Sequence, residues 1–262
     1  LYPDLKADFV IANPPFNIKN WGAESLSDDV RWKYGMPPAT NANYAWIQHM
    51  LHHLAPTGTM ATVLSNGSLS SNSNNEGEIR RQLIDQDLVE CIVALPGQLF
   101  FTTQIPVCIW FFTKDKSEKS SVSEKPQRNR HGEVLFIDAR SLGEMTTRTN
   151  RELSEIDIQT ISETYHSWRG EPSENSYRDI PGFARSVQLS EVALNNFVLA
   201  PGRYVGSLEN DDVVGDPEHV IDSLKEDLYS TLLRREDIIG EISAALEKLT
   251  TLPMKDRPED AR

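Results

Sequence analysis

The stretch Asp8-Phe9-Val10-Ile11-Ala12-Asn13-Pro14-Pro15-Phe16 constrains the fold more tightly than any other part of the chain. An apolar run of about four residues closed by a breaker suits a buried strand and is too short for a helix. Two successive prolines then stop the sheet, because neither can donate to a ladder, and they push Asn13 and Pro14 toward extended backbone. The expectation is an inner strand running into a stiff loop at its carboxyl end, the edge where open α/β sheets place their ligands.

Downstream, helical and strand patterns alternate. Residues 17–40 are polar and punctuated by Pro and Gly, with Trp21, Trp32 and Tyr34 interspersed. Such length without periodicity suggests a functional loop or lid. Tyr44, Ile47, Met50, Leu51 and Leu54 share one helical face, and Pro56-Thr57-Gly58 ends that helix. A strand over 60–64 closes at Ser65-Asn66-Gly67, and a helix over about 76–86 presents Ile79, Leu83 and Ile84 to a core. Strands follow at 88–95, 105–113 and 134–137, the last two joined by a polar stretch over 114–132. This order predicts an α/β sheet with an antiparallel edge. A helix over 155–168 and Pro/Gly-bounded loops come next. Beyond Asp216-Pro217-Glu218, a strong helix start, Leu228, Leu232, Ile239, Ile242, Leu246 and Leu249 form a heptad stripe broken only by Arg235.

The composition is that of a water-soluble globular protein, and no apolar run nears the ~20 residues needed to span a bilayer. A cytoplasmic protein without membrane contact is expected, since the start carries no signal segment. Cys91 and Cys108 fall in strand-like runs and read as reduced core residues. His49 and His53 have the i, i+4 spacing of a metal pair, but no third ligand stands at the usual spacing, so no metal is expected. Glycine-rich phosphate loops and Gly-x-Ser-x-Gly elbows are missing from the sequence, which leaves nucleotide hydrolysis and acyl transfer without a starting residue. The net charge of −13 argues against this chain gripping DNA alone. The stretch 114–132 reads most simply as a solvated loop; its cluster Lys125, Arg128 and Arg130 could touch phosphate, but charge runs usually face water.

The proline loop also specifies a chemistry. An exocyclic aromatic amine is a poor nucleophile while its lone pair is delocalised into the ring. Two fixed acceptors, the Asn13 side-chain oxygen and the Pro14 carbonyl, could each take one N–H and favour a pyramidal nitrogen with its lone pair aimed outward. Phe16 offers a flat face for the ring. The exit Leu95-Pro96-Gly97-Gln98-Leu99-Phe100-Phe101 carries further aromatics; if it lies beside the first loop, Phe100 or Phe101 could close the other face of a base pocket, although Phe is more often core.

Several segments then occur in a telling order: Asn13-Pro14-Pro15-Phe16, Ala45-Trp46-Ile47-Gln48-His49-Met50-Leu51, Val63-Leu64-Ser65-Asn66-Gly67, Leu95-Pro96 with Leu99-Phe100, Leu135-Phe136-Ile137-Asp138-Ala139-Arg140, Pro181-Gly182-Phe183, and Pro201-Gly202-Arg203-Tyr204-Val205-Gly206. Together they resemble the modification subunit of type I restriction-modification systems, an adenine-N6 DNA methyltransferase, from residue 1 to about 206. The resemblance implies a Rossmann-like methyltransferase sheet, S-adenosylmethionine as methyl donor, and double-stranded DNA with a flipped adenine as acceptor. It assigns Asn13 and Pro14 to the adenine amine, Pro15 to stiffening the loop and Phe16 to stacking. It implies assembly with a specificity subunit, a second modification subunit and, optionally, a restriction subunit.

In that family the donor-binding turn precedes the Asn-Pro-Pro-Phe strand, so the donor site is expected upstream of Leu1, with Asn13 as a candidate contact. The expected organisation is an acceptor half over 1–140, a mixed extension over 141–206 and an acidic helical tail for subunit contact over 207–262. Alone, the chain is expected to be inactive and marginally soluble, because Phe9–Ala12 would become an exposed edge. Two competing readings are a non-catalytic assembly module and a protein glutamine methyltransferase. The second resembles release-factor enzymes, which favour Tyr where this chain has Phe16.

Overall fold

A computed structural model describes residues 4–118, 127–171 and 176–206, together with Lys225. The chain divides into two units, Leu1–Leu208 and Glu209–Arg262. Of the second, only Lys225 is described, helical and exposed, so the heptad stripe and acidic tail lie outside the described residues, as does Lys125.

The first unit is built on a six-stranded mixed sheet in the order β1-β2-β4-β3-β5-β8. Its strands are β1 (Ala7–Ala12), β2 (Leu54–Ser65), β3 (Val89–Ala94), β4 (Val107–Thr113), β5 (Glu133–Asp138) and β8 (Ala184–Gln188). Strand β1 is parallel to β2, and β3 to β5. Between the two parallel pairs lies β4, antiparallel to both β2 and β3, while β8 runs antiparallel along the edge of β5. The sheet does have an antiparallel edge, but it is formed by β8, which the sequence did not predict as a strand, while the antiparallel β4 sits inside and is separated from β5 by β3. Residues 95–106 turn the chain back from β3 without a crossover helix, so β4 can only pair antiparallel with it. Helices α1 (Asn43–His53), α2 (Glu76–Asp85), α3 (Glu155–Arg169) and α4 (Leu189–Leu194) and a small hairpin of β6 (Glu144–Met145) and β7 (Arg151–Glu152) complete the unit.

Alternation along the strands divides the core into two layers. Val89 and Ile92, Cys108, Trp110 and Phe112, and Val134 and Phe136 meet Tyr44, Ile47, Leu51, Ile79 and Leu83 of α1 and α2. Cys91 and Val93, Val107, and Leu135 and Ile137 face the other way, onto Tyr165 and Trp168 of α3. A capping box of Ser154 with Asp157 starts α3, and Gly170, left-handed at φ 78°, ends it. Both cysteines are buried and free. Burial pushes the Cys108 thiol up to about 12 and Cys91 well above its usual value, so both are inert core groups.

Four sequence expectations change. Strand β1 is an edge of the described sheet rather than the inner strand its apolar run suggests, as expected of Phe9–Ala12 in this chain by itself; Val10 and Ala12 pack on the core, while Phe9 and Ile11 are 67% and 88% exposed. An apolar run shows that a strand can be covered on both faces, and nothing in it says which residues cover it. The cluster at 128–130 is no solvated loop: Arg130 is buried on the Glu90 carboxylate, and Arg128 pairs with Glu133 and lies over the Trp168 ring. The stretch 169–206 is more than loops, because β8 joins the sheet and Tyr204 stacks on Phe136 with ring centroids 4.1 Å apart.

Pro56-Thr57-Gly58 does not separate helix from strand either, because β2 begins at Leu54, the residue that caps α1. The triplet forms an irregularity inside β2, where pairing jumps from Ala7↔Leu54 to Phe9↔Thr59. A Cβ on Gly58 would stand 2.9 Å from the Ala7 carbonyl and 2.8 Å from Leu54 Cδ1. Gly58→Ala is expected to cost about 1–3 kcal/mol by forcing β1 off β2; an unchanged denaturation midpoint would contradict this contact.

Candidate active site

The direction of each strand decides which loops meet. The carboxyl ends of β1, β2, β3 and β5 and the amino ends of β4 and β8 share one edge of the sheet. Backbone hydrogen bonds sew their loops together: Asn66 N–H to Pro106 O at 3.2 Å, Ala139 N–H to Ala94 O at 2.9 Å, Asp138 N–H to Phe183 O at 2.7 Å and Gly182 N–H to Val205 O at 2.8 Å. Segments scattered between residues 13 and 206 thus line a single rim. A Cβ on Gly202 would lie 2.6 Å from the Arg140 guanidinium, itself paired with Asp138, so the Pro201–Arg203 turn closes on the exit of β5.

Asn13 and Pro15 are exposed, and Pro14 and Phe16 are half-buried. Among the described residues, neither the Asn13 amide nor the Pro14 carbonyl has a hydrogen-bond partner. The next residue has many. Asn17, left-handed at φ 54°, donates its N–H to Asn43 Oδ1 at 3.0 Å and accepts at Oδ1 from Asn43 Nδ2 at 2.9 Å and Ser65 Oγ at 3.2 Å. The proline loop is therefore nailed to the first residue of α1 and the last of β2. Two unbonded acceptors on a loop fixed this way are preorganised for an incoming N–H pair.

Residues 17–42 continue as a braced rim. Gln48, buried on α1, accepts from Tyr34 N–H at 2.9 Å and donates to Gly35 O at 2.8 Å, while the Trp21 and Trp32 rings meet edge-to-face at 5.6 Å. The structure brings Phe16 and Phe100 together, centroids 6.0 Å apart at 74°, both partly buried against the α3-side core. Phe101 is set apart from them, 91% exposed.

His49 and His53 do not converge on a common point. His49 Nδ1 faces the Arg31 guanidinium at 2.8 Å and His53 Nδ1 faces the Leu5 carbonyl at 3.0 Å. Burial, and then Arg31, hold the His49 imidazole below its usual value, so it stays neutral and accepts. Among the described residues no three His, Cys, Asp or Glu side chains gather as a metal site.

Sequence reasoning missed the Asn17–Asn43–Ser65 cluster and Gln48. Asn43 and Gln48 are polar side chains at helix positions that the packing buries, whereas Asn17 lies in an exposed turn and Ser65 ends β2. Asn43→Ala removes both bonds to Asn17 and is expected to cost about 1–3 kcal/mol. A thermal midpoint equal to that of the parent would show that the cluster does not hold the loop.

The open carboxyl edge of the sheet thus presents the Asn13-Pro14-Pro15-Phe16 loop beside a second loop carrying Phe100. The chain belongs to the N-6 DNA methylase family, whose model matches residues 2–213. It is 52% identical over 209 residues to the type I restriction enzyme HindI methylase subunit of Haemophilus influenzae, covering 80% of this chain and 44% of that protein. It is 36% identical over 255 residues to the MjaIX methylase subunit of Methanocaldococcus jannaschii, covering 95% of this chain and 43% of that protein. The crystal structure of a type I restriction-modification methyltransferase subunit from Streptococcus thermophilus superposes with a TM-score of 0.64 at 28% identity, over 78% of this chain and 39% of that one. The chain thus shares its α/β fold with a type I restriction-modification methyltransferase subunit, and it spans less than half the length of the curated relatives it matches.

Proposed function

We propose that this chain carries the acceptor half of a type I adenine-N6 DNA methyltransferase. The observation that carries the reading is the fixed Asn13-Pro14-Pro15-Phe16 loop, with two unbonded acceptors, set against Phe100 at the carboxyl edge of the sheet. Asn13 Oδ1 and the Pro14 carbonyl each take one N–H of the adenine amine and localise its lone pair. Pro15 limits the loop's motion, Phe16 stacks on the base and Phe100 bounds the pocket from the side. Phe101 is not part of the pocket in this reading. An adenine inside a stacked duplex cannot present its amine to such a loop, so the base is extruded first.

Bound S-adenosylmethionine supplies an electrophilic methyl. The residues present fit a donor beside β1: Asn13 is exposed and unbonded among the described residues, and Phe9 and Ile11 offer an uncovered apolar strand face next to it. Positioning supplies most of the rate, because the amine needs only to meet the methyl in line.

The complete subunit works with a specificity subunit, which reads the DNA, and with a second modification subunit and optionally a restriction subunit, in the cytoplasm. Residues 207–262 are the proposed contact with the specificity subunit. No helix among the described residues is long and apolar enough to cross a membrane.

The test gives labelled S-adenosylmethionine and duplex DNA to the complete subunit assembled with its specificity subunit. Label recovered as N6-methyladenine supports the reading. Label on a protein glutamine, or none at all, sinks it.

A further inference from the structure

We infer that Phe101 is a wedge that enters the DNA stack as the target base leaves it, an inference that rests on the adenine-methylating reading above. Two neighbouring phenyl rings have opposite fates. Phe100 meets Phe16 edge-to-face at 6.0 Å, whereas Phe101 stands 91% exposed on the same rim.

The segment that carries it is braced. Phe100 and Thr103 form an antiparallel bridge, and Ile105 N–H donates to Thr103 Oγ1 at 3.2 Å. From outside, Arg151 N–H of β7 donates to Gln98 O at 2.9 Å, with Gln98 in the left-handed region at φ 68°. The Arg151 guanidinium in turn donates to Leu142 O at 3.1 Å and Gly143 O at 3.0 Å, which fastens the β6–β7 hairpin that supports the turn. A Cβ on Gly97 would lie 3.0 Å from Gln104 O, so the two sides of the turn are in close approach. Phe101 and Thr102 occupy the tip of a closed turn, and little order has to be gained before the ring is used.

The surroundings of the ring indicate what it enters. Protein-docking surfaces are contiguous apolar patches. Phe101 is instead a single ring at the tip of the turn, followed by Thr102, Thr103 and Gln104, with Ile105, 45% exposed, only at the turn's far end. A flat ring projecting from a turn tip fits a slot between two flat apolar faces, which is what a base step offers. Apolar side chains do enter base steps in DNA-bending proteins, at the cost of unstacking. Extruding a base opens such a slot and gives up its stacking, and a phenyl ring placed there restores part of it.

The experiment uses the complete assembled enzyme with Phe101→Ala and Phe101→Trp and two duplexes, one with the target adenine paired to thymine and one with it opposite an abasic site. Single-turnover methylation is read on both. Phe101→Ala is expected to slow the paired duplex on the order of 10- to 100-fold. On the abasic duplex, where extrusion breaks no base pair, the deficit shrinks to about threefold or less, and Phe101→Trp stays close to the parent on both. An equal loss on both duplexes would assign the ring to the extruded base or to the fold, and no loss on the paired duplex would leave it without a role; either overturns the inference. A parent enzyme that methylates neither duplex would instead overturn the adenine-methylating reading itself.

Discussion

Glu90→Ala is expected to destabilise the folded chain by about 3–5 kcal/mol, the cost typical of breaking a buried ion pair. Glu90 lies near the start of β3, at the end of the sheet remote from the proline loop, and is fully buried. Its carboxylate accepts from Arg130 Nε at 3.1 Å and from the Tyr165 hydroxyl at 2.7 Å, with Arg169 3.9 Å away. Burial, and then the Glu90 charge, push the Tyr165 phenol well above its usual value, so it remains a donor. Removing the carboxylate leaves the buried Arg130 guanidinium, among the described residues, with the Arg128 carbonyl at 2.8 Å and the face of the Trp168 ring 6.0 Å away. A domain's whole stability is about 5–15 kcal/mol, so the variant should unfold at a much lower urea concentration. Glu90→Gln, which keeps the shape and one acceptor, should lose less. A loss below about 1 kcal/mol for Glu90→Ala would mean that α3 and residues 127–130 are held by packing alone.

Asn13→Ala in the complete enzyme is expected to lower the methyl-transfer rate about 10²- to 10³-fold, the usual effect of deleting one preorganised partner of the developing charge. The side chain is exposed and unbonded among the described residues, so stability should stay within about 0.5 kcal/mol of the parent. DNA affinity should also change little, because charged phosphate contacts dominate it and Asn13 carries no charge. Asn13→Asp keeps an acceptor oxygen and should retain more of the rate than Asn13→Ala. A rate loss accompanied by an equal loss of stability would move Asn13 from chemistry to structure.

Local pattern revealed the helices and strands well, because each buries one face. Tyr44, Ile47, Met50 and Leu51 at helical spacing did become the inner face of α1, and the apolar runs did become β3, β4 and β5. Pairing is non-local, so the place of β4 between two parallel pairs was hidden in the sequence. Strand β8 was hidden for another reason. In Ala184-Arg185-Ser186-Val187-Gln188 only Ala184 and Val187 are buried, while Arg185 pairs with Glu191, so the segment has the composition of a loop. The basic cluster near residue 130 looked solvated because its partner, Glu90, lies 40 residues away. Within the candidate site the sequence put the proline loop at a strand's carboxyl end and raised Phe100 or Phe101 as a neighbour, and the structure brings Phe16 and Phe100 together. The Asn17–Asn43 clamp could not, because two asparagines 26 residues apart show no periodicity until the fold joins them.

The most direct test of the account asks where the target adenine sits. A duplex carrying a photoreactive 8-azidoadenine at the target position is bound to the complete assembled enzyme, irradiated and digested, and the cross-linked peptides are mapped by mass spectrometry. The account predicts attachment within residues 13–19 and 98–104, around Phe16 and Phe100. Attachment confined to peptides outside the loops that follow β1 and β3 would contradict it.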